Sequence, residues 1–267
     1  MSFNLDVVCV QILPVHLRPE ETMEKALKMI ADIQNADVLV LPEMAFTGYS
    51  FRDRQEISRL LEEPNDQYPT FRWCSEQATR LMAYVFCGYP EKFGDHAYNS
   101  MMVVSPNGQL VQNCRKTFLF EMDKTWAEEG DGFKCADIEI RGRRLKVGLG
   151  ICMDINPYEF KADFELFELS TFWKTNNVDI CVFCTNWTSS SDNDTPQELL
   201  RYWLMRLYPL LKSNKKTYFI AADRIGSERG TNYSGTSCVI QLSNSYKILK
   251  TLGKSEESIL AYKIKHS

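Results

Sequence analysis

The sequence predicts an α/β protein in which a mixed β-sheet is combined with helices. Apolar strand-like runs alternate along the chain with segments of helical periodicity, and the shares of 44% hydrophobic and 25% charged residues are those of an ordinary globular protein. No Gly-, Ser- or Pro-rich linker interrupts the pattern, so we expect one domain that spans residues 1–267. The pattern leaves open whether this domain contains one sheet or two.

The first half of the chain is predicted to contain two strand-helix units followed by a hairpin. Buried strands are predicted at 7–12, 38–41 and 84–90 from their apolar runs, and helices at 20–34 and 71–82 from their periodicity. The sequence Ser-Pro-Asn-Gly at 105–108 is typical of a tight reversal between antiparallel strands. We therefore expect a strand on each side of this turn.

The second half of the chain repeats the alternation of strands and helices. Further strands are predicted at 145–152, 178–184, 217–222, 237–242 and 258–262. The spacing of Phe160, Phe164 and Phe167 predicts a helix after the first of these strands. A second helix is predicted to begin near Thr195, because Thr195 and Glu198 have the spacing of a capping box. Its apolar stripe consists of Leu200, Trp203, Leu204, Leu207 and Leu211.

The charge and hydropathy of the chain limit its partners. Lys and Arg number 31 against 35 Asp and Glu, and the formal net charge of -4 provides no basic surface for nucleic acid or anionic membrane. The N-terminal segment lacks the pattern of a secretion signal, and no apolar run approaches the roughly 18 residues of a membrane helix. We expect a cytoplasmic protein, with the nucleus as an alternative location, that binds neither nucleic acid nor membranes.

The histidines and cysteines do not have the spacing of a metal site. His16, His96 and His266 are far apart, and neither H-E-x-x-H nor a pair of C-x-x-C motifs is present. Cys181 and Cys184 belong to an apolar run that we interpret as a buried strand, and the nine cysteines are expected to be reduced. We therefore expect neither a metal nor an organic cofactor.

Three reactive residue types follow or end apolar strand-like runs, namely Glu43, Lys116 and Cys152. Taken singly, they are typical of a solvated loop acid, a surface charge and a small core residue. Taken together, they suffice for nucleophilic attack on an amide or nitrile carbon without histidine. A carboxylate can remove the thiol proton, and a cation or a backbone N–H can stabilise the developing oxyanion.

The segments around these residues, LPEMAFTGY, RKTFLF and GICMDINPYEF, resemble in this order the motifs of the nitrilase superfamily of carbon-nitrogen hydrolases. Asn186-Trp187-Thr188 and the segment that begins at Arg224 extend the resemblance over nearly the whole chain. The resemblance implies an αββα sandwich, in which two mixed sheets face each other and helices cover the outside. It also implies a catalytic triad of Glu43, Lys116 and Cys152.

The superfamily often has a second glutamate after the lysine. Its position in the sequence favours Glu129, with Glu128 as the alternative, and the residue is expected to orient the lysine and the substrate. The alternative, which the sequence supports equally well, is that both glutamates are solvated loop residues without a catalytic role.

The strings CMDINPYEF and TWAEEGDGF resemble the fungal-type N-terminal amidase branch of the superfamily. This implies a hydrolase of linear amides that releases ammonia from N-terminal Asn or Gln of peptides or proteins, in the N-degron pathway, through a Cys thioester. Asp154 is the expected partner of the substrate's α-ammonium group, with a structural role as the alternative, because many superfamily members carry an acid there for structural reasons. The backbone N–H of Met153 is expected to stabilise the oxyanion. Tyr158, Asn186 and Trp187 are candidates for the pocket wall, with packing in the core as the alternative.

Other functions remain open from the sequence. One is a small-molecule ω-amidase or carbamoyl-amine hydrolase, for which Arg224 or Arg229 would select a substrate carboxylate. Another is a non-catalytic binding module on the same fold, although a module has no need of all three triad residues. The sequence does not decide between Asn and Gln, nor between a monomer and a homo-oligomer.

Overall fold

The computed structural model describes residues 3–189, 191 and 194–266. The strands are β1 (Phe3–Gln11), β2 (Val38–Val40), β3 (Tyr84–Phe93), β4 (His96–Val104), β5 (Leu110–Arg115), β6 (Cys135–Ile140), β7 (Arg143–Ile151), β8 (Ile180–Thr185), β9 (Thr188–Ser189), β10 (Thr217–Asp223), β11 (Ile225–Glu228), β12 (Thr231–Ser234), β13 (Cys238–Leu242), β14 (Tyr246–Thr251) and β15 (Ser258–His266). The helices are α1 (Pro19–Met29), α2 (Arg54–Ile57), α3 (Pro69–Leu81), α4 (Glu168–Thr175), α5 (Pro196–Arg206) and α6 (Tyr208–Leu211).

Two six-stranded mixed sheets form the centre of the molecule. The first has the order β15-β1-β2-β3-β4-β5 and the second the order β14-β13-β10-β8-β7-β6. In each sheet three neighbouring strands are parallel, β1-β2-β3 in the first and β7-β8-β10 in the second, and antiparallel strands lie outside them. A small third sheet, β11-β12-β9, lies beside them.

Alternate residues of the parallel strands face two different cores. Val7, Val40 and Phe86 of the first sheet pack with Val147, Val182 and Ile220 of the second in the core between the sheets. The intervening residues of the first sheet pack against α1 and α3, and those of the second pack against α4 and α5. Because both faces of these strands are buried, they appear in the sequence as continuous apolar runs. The resulting αββα sandwich is the fold that the resemblance implied.

Several local predictions are confirmed. Strands β4 and β5 form the expected antiparallel hairpin around residues 105–108. Helix α5 begins with the predicted capping box, in which the Thr195 hydroxyl accepts from Glu198 N at 3.3 Å and the Glu198 carboxylate accepts from Thr195 N at 2.9 Å. Cys181 and Cys184 are fully buried in β8, as interpreted. Strands β6, β9, β11, β12 and β14 were not predicted.

The helix predicted from Phe160, Phe164 and Phe167 is wrong. This segment forms two short 3-10 turns, Tyr158–Phe160 and Phe164–Leu166, and α4 begins only at Glu168. Glu159, Phe160 and Phe167 have φ values of 53°, 56° and 46°, which no right-handed helix contains. Phe160 and Phe164 are 59% and 39% exposed, so their spacing does not mark the buried face of a helix.

Among the described residues, no helix has both the length and the apolar character needed to cross a membrane.

Candidate active site

Glu43 lies in a turn that follows β2, and its side chain is fully buried. The turn packs closely on Gly88 of β3, where a Cβ atom would lie only 2.5 Å from the Glu43 Cα. Glycine at this position therefore allows the two backbones to approach. Two hydrogen bonds fix the turn there, from Gly88 N to the Pro42 carbonyl and from Ala45 N to the Gly88 carbonyl.

Lys116 directly follows β5 and is also fully buried. Its Nζ donates to Glu43 Oε1 at 2.7 Å, to Asp123 Oδ2 at 2.6 Å and to Tyr49 Oη at 3.3 Å. An ammonium group has three hydrogens, so these three acceptors satisfy it. The structure thus brings together two of the predicted catalytic residues, which are separated by 73 positions in the sequence.

Asp123 is the buried acid of this cluster that the sequence analysis missed. Asn99 Nδ2 donates both to Glu43 Oε1 at 2.7 Å and to Asp123 Oδ1 at 2.9 Å, so one amide links the two carboxylates. Tyr49 Oη and Phe120 N also donate to Asp123. The sequence carried no distinct signal for it, because Glu121 and Lys124 lie close to Asp123 and make its segment typical of a solvated loop.

The charges of the cluster determine its protonation. Burial lowers the pKa of Lys116, but Asp123 and Glu43 outweigh burial and leave that pKa raised, so the lysine is an ammonium ion. Burial raises the pKa of Glu43, and the negative charge of Asp123 raises it further. The positive charge of Lys116 lowers this pKa, but the net result is an increase. A carboxylate with a raised pKa is a better proton acceptor.

Cys152 follows β7 with a left-handed backbone conformation, φ 41°, and is 9% exposed. Burial raises the pKa of its thiol well above the usual value, and the charge of Glu43 raises it further, whereas Lys116 lowers it. The thiol is therefore neutral at neutral pH and needs a base before it can act as a nucleophile.

A hydrogen bond across the two sheets brings Glu43 close to the cysteine strand. Asn186 N, just beyond β8, donates to Glu43 Oε2 at 2.9 Å. Strand β8 pairs in parallel with β7, and Cys184 lies opposite Ile151, the residue before Cys152. The Glu43–Lys116 pair from the first sheet therefore lies beside the thiol from the second.

A cavity of about 160 Å³ opens at this point. Cys152, Met153, Asn186 and Trp187 line it, together with the rings of Phe120 and Phe160 and the polar side chains of Asn156 and Thr188. Three of the predicted substrate-binding residues are thus placed at the cavity, and their roles stay predictions.

Tyr158 is not placed at this cavity. Its ring packs edge-on against Phe118 with a centroid distance of 5.0 Å, and the residue is 40% exposed. A hydrogen bond with Glu129 raises the pKa of its hydroxyl. Tyr158 therefore does not line the cavity that contains Cys152, and its role in binding the substrate stays a prediction.

Glu129 is not among the residues that contact Lys116, and its predicted role towards the substrate stays a prediction. Glu129 is exposed, and the carboxylates that contact Lys116 Nζ are those of Glu43 and Asp123. Glu128, the alternative, is also exposed and pairs with His96 at 2.8 Å. The 3-10 turn at Asp123–Thr125 turns Asp123 inward, and the two glutamates beyond it face solvent.

Asp154 does not have the expected arrangement of an ammonium-binding group. It is 1% exposed, Oδ1 accepts from Thr117 N and Phe118 N, and Oδ2 accepts from Ile151 N, each at 2.9 Å. Burial raises its pKa to about 7, although these backbone donors oppose the increase. Since Thr117 follows Lys116 and Ile151 precedes Cys152, Asp154 ties the lysine segment to the cysteine segment.

We expect Asp154→Asn to destabilise the protein, because an NH2 group cannot accept from a backbone N–H. The free energy of unfolding in urea should fall by about 1–3 kcal/mol, the usual cost of leaving a buried donor without an acceptor. Glu165→Gln, at an exposed position, serves as the control and should leave it unchanged. Equal stability of the Asp154 variant and the wild type would show that the three backbone bonds do not matter.

The basic residues considered for carboxylate selection lie elsewhere. Arg224 is fully buried, pairs with Glu228 at 3.0 Å and lies over the Tyr233 ring at 3.9 Å. Arg229 pairs with Glu56 at 2.6 Å. Neither lines the cavity beside Cys152.

Within the described part of the chain, no group of three or more His, Cys, Asp or Glu side chains is placed to hold a metal ion.

Comparison with known proteins decides the family. The family model described as carbon-nitrogen hydrolase matches residues 7–267. The chain belongs to the carbon-nitrogen hydrolase family. This carbon-nitrogen hydrolase is 34% identical to the protein N-terminal amidase of Schizosaccharomyces pombe, over 94% of its own chain and 96% of that relative. It is 32% identical to the protein N-terminal amidase of Saccharomyces cerevisiae, over 73% of its own chain and 48% of that relative.

Solved structures confirm the fold of this carbon-nitrogen hydrolase. Crystal structures of N-terminal amidase with Asn-Glu-Ala and Gln-Val peptides match it with a TM-score of 0.90 and 20% identity, over 99% of this chain and 98% of theirs. The superfamily resemblance and the αββα sandwich predicted from it are both confirmed. The family and its amidase relatives make the protein a hydrolase that acts on amides.

Proposed function

We propose that this hydrolase removes ammonia from the side-chain amide of an N-terminal Asn or Gln residue of a peptide or protein. The observation that carries the proposal is the buried Glu43–Lys116 pair beside the Cys152 thiol, at a cavity of about 160 Å³. The names of the two amidase relatives support the substrate class.

In the acylation step, Glu43 accepts the thiol proton and the Cys152 sulfur attacks the carboxamide carbon. The carbonyl electrons move to oxygen, and Lys116 and the backbone N–H of Met153 stabilise the oxyanion. Loss of one such donor costs about 3 to 4 kcal/mol in comparable sites. The 3.3 Å bond from Lys116 to Tyr49 is the longest of its three and the one most readily exchanged for the oxyanion.

In the second half of the reaction, the oxyanion collapses and the C–N bond breaks. Protonated Glu43 returns its proton to the departing nitrogen, which leaves as ammonia, and a thioester to Cys152 remains. Glu43 then accepts a proton from the attacking water, the C–S bond breaks, and the thiol regains its proton from Glu43. One carboxyl group thus acts as base and acid in turn.

The cavity wall disfavours the alternative of a small-molecule amidase that selects a substrate carboxylate. No Lys or Arg is among the described residues that line it, and Arg224 and Arg229 are engaged elsewhere. A carboxylate would therefore enter an apolar wall of Phe120, Phe160 and Trp187 without a counter-ion, which is costly.

We further propose that residues 1–267 form one domain, that the protein acts in the cytoplasm or nucleus, and that its substrates belong to the N-degron pathway. The match of the family model to residues 7–267 supports the single domain.

The substrate class is tested by ammonia release from an Asn-initiated peptide, its N-acetylated form and free asparagine. We expect the free peptide to react, and the acetylated peptide to react at least about 100-fold more slowly, because it lacks the ammonium charge. Equal rates on all three substrates would exclude recognition of a protein N-terminus.

A further inference from the structure

The cavity beside Cys152 offers no carboxylate to a substrate ammonium group. None of the described residues that line it is Asp or Glu. The acids next in sequence to the lining residues Phe120 and Phe160 are paired, Glu159 with Lys124 at 3.4 Å and Lys161 at 2.9 Å, and Glu121 with Lys124 at 3.2 Å. Asp154 is occupied by three backbone donors. Recognition of a free N-terminus therefore depends on another polar group.

Asn186 has an unused amide at this cavity. The residue is 1% exposed, and neither Oδ1 nor Nδ2 has a hydrogen-bond partner among residues 3–189, 191 and 194–266. A buried amide without partners is costly unless a ligand completes its hydrogen bonds. Its backbone is held on both sides, because Asn186 N donates to Glu43 and Trp187 N donates to Asp223 Oδ1 at 3.0 Å. The backbone at Asn186 is therefore fixed in place, and the side-chain amide is free to bind.

The second asparagine at the cavity differs in this respect. Asn156 Oδ1 accepts from Tyr202 Oη at 2.6 Å, and its Nδ2 lies 3.5 Å from Met153 Sδ. Its hydrogen-bonding groups are used within the protein. Of the two asparagines, Asn186 is the one available to a substrate.

We propose that Asn186 recognises the free N-terminus of the substrate, an inference that rests on the proposed function. Its Oδ1 accepts a hydrogen bond from the α-ammonium group, and its Nδ2 donates to the first peptide carbonyl oxygen. These two substrate groups are attached to the same Cα, so one amide can bind both. The rings of Phe120, Phe160 and Trp187 add a wall that favours a cation over its neutral form.

This arrangement explains how internal Asn and Gln are rejected. An acylated nitrogen carries no charge and a single N–H, and its planar acyl group occupies the space beside the amide. Recognition through a neutral amide and aromatic rings also avoids adding another carboxylate to Asp123 near Glu43, where it would raise the Glu43 pKa further.

The test compares two substrates that share the reacting amide, Asn-Ala-Ala and succinamoyl-Ala-Ala, which lacks only the α-amino group. Wild-type kcat/KM should be about 10- to 100-fold higher for Asn-Ala-Ala, the effect of a hydrogen bond to a charged group. In Asn186→Leu this ratio should fall to within about 3-fold of unity. Both substrates lose the contact to the shared carbonyl, but only Asn-Ala-Ala also loses the contact to its ammonium group. Asn186→Ser serves as a second variant if the leucine variant does not fold.

Asn156→Leu is the matched control, because it removes the other cavity asparagine. It should lower kcat/KM on both substrates by the same factor and leave the ratio unchanged. A wild-type ratio near unity, or an equal loss on both substrates in the Asn186 variants, would overturn the role of Asn186. If the wild-type protein released ammonia from neither substrate, the proposed function itself would be refuted.

Discussion

Cys152→Ala is expected to lower kcat for ammonia release from an Asn-initiated peptide by at least about 10⁴-fold, since loss of a covalent nucleophile typically has effects of this size or larger. Cys152→Ser should be nearly as inactive, because a hydroxyl is much harder to deprotonate than a thiol, even with Glu43 beside it. Both variants should fold normally, as the residue is small and lies at the wall of a cavity. Ammonia release and thermal unfolding measure the two properties.

Cys135→Ser is the control for the cysteine variants. Cys135 is a partly buried cysteine of β6, at the edge of the second sheet, and does not line the cavity beside Cys152. We expect it to retain wild-type activity. Retention of more than about a tenth of the activity in Cys152→Ala would refute the thioester mechanism, since no other route in the proposal forms a covalent intermediate.

Asp123→Asn is expected to have the next largest effect. The substitution removes one of two carboxylates that contact the buried Lys116, and breaking a buried ion pair typically costs about 3–5 kcal/mol of stability. We expect kcat to fall on the order of 100-fold, because the lysine and Glu43 lose their positions relative to the thiol.

The pH profile separates a role in the cluster from a general loss of stability. The charge of Asp123 raises the pKa of Glu43, so its removal lowers that pKa. A lower pKa leaves Glu43 ionised at lower pH, and the acidic limb of the kcat/KM profile should therefore move to lower pH. Destabilisation alone would lower the amount of active protein without moving this limb.

Glu129→Gln is the matched control, because Glu129 is the acid that position in the sequence favoured for this role. It is exposed, and Lys116 Nζ contacts other acceptors, so we expect less than about a twofold change in activity. An unchanged pH profile of kcat/KM in Asp123→Asn, or a large loss of activity in Glu129→Gln, would instead identify Glu129 as the second acid of the site.

Motifs in the sequence located the three residues to which we assign the reaction. Glu43 and Cys152 follow buried apolar strands, which are recognisable from local composition, whereas Lys116 follows the more polar and partly exposed strand β5. The number of sheets was not decided locally, since a strand buried between two sheets and a strand buried between a sheet and a helix are equally apolar. The phenylalanines at 160, 164 and 167 show the converse error, in which helical spacing occurs in turns with left-handed residues.

The sequence by itself determined which chemical groups this protein places at the ends of its strands, namely a carboxylate, an amine and a thiol. Only the tertiary structure decided which acids touch the lysine and which face solvent. It also decided that Asp154 holds backbone segments together and that the Asn186 amide has no hydrogen-bond partner among the described residues. The physical reason is that a hydrogen-bond partner depends on contacts between distant segments, such as the bond across 143 positions from Asn186 to Glu43. Residue type and local spacing carry no information about such contacts.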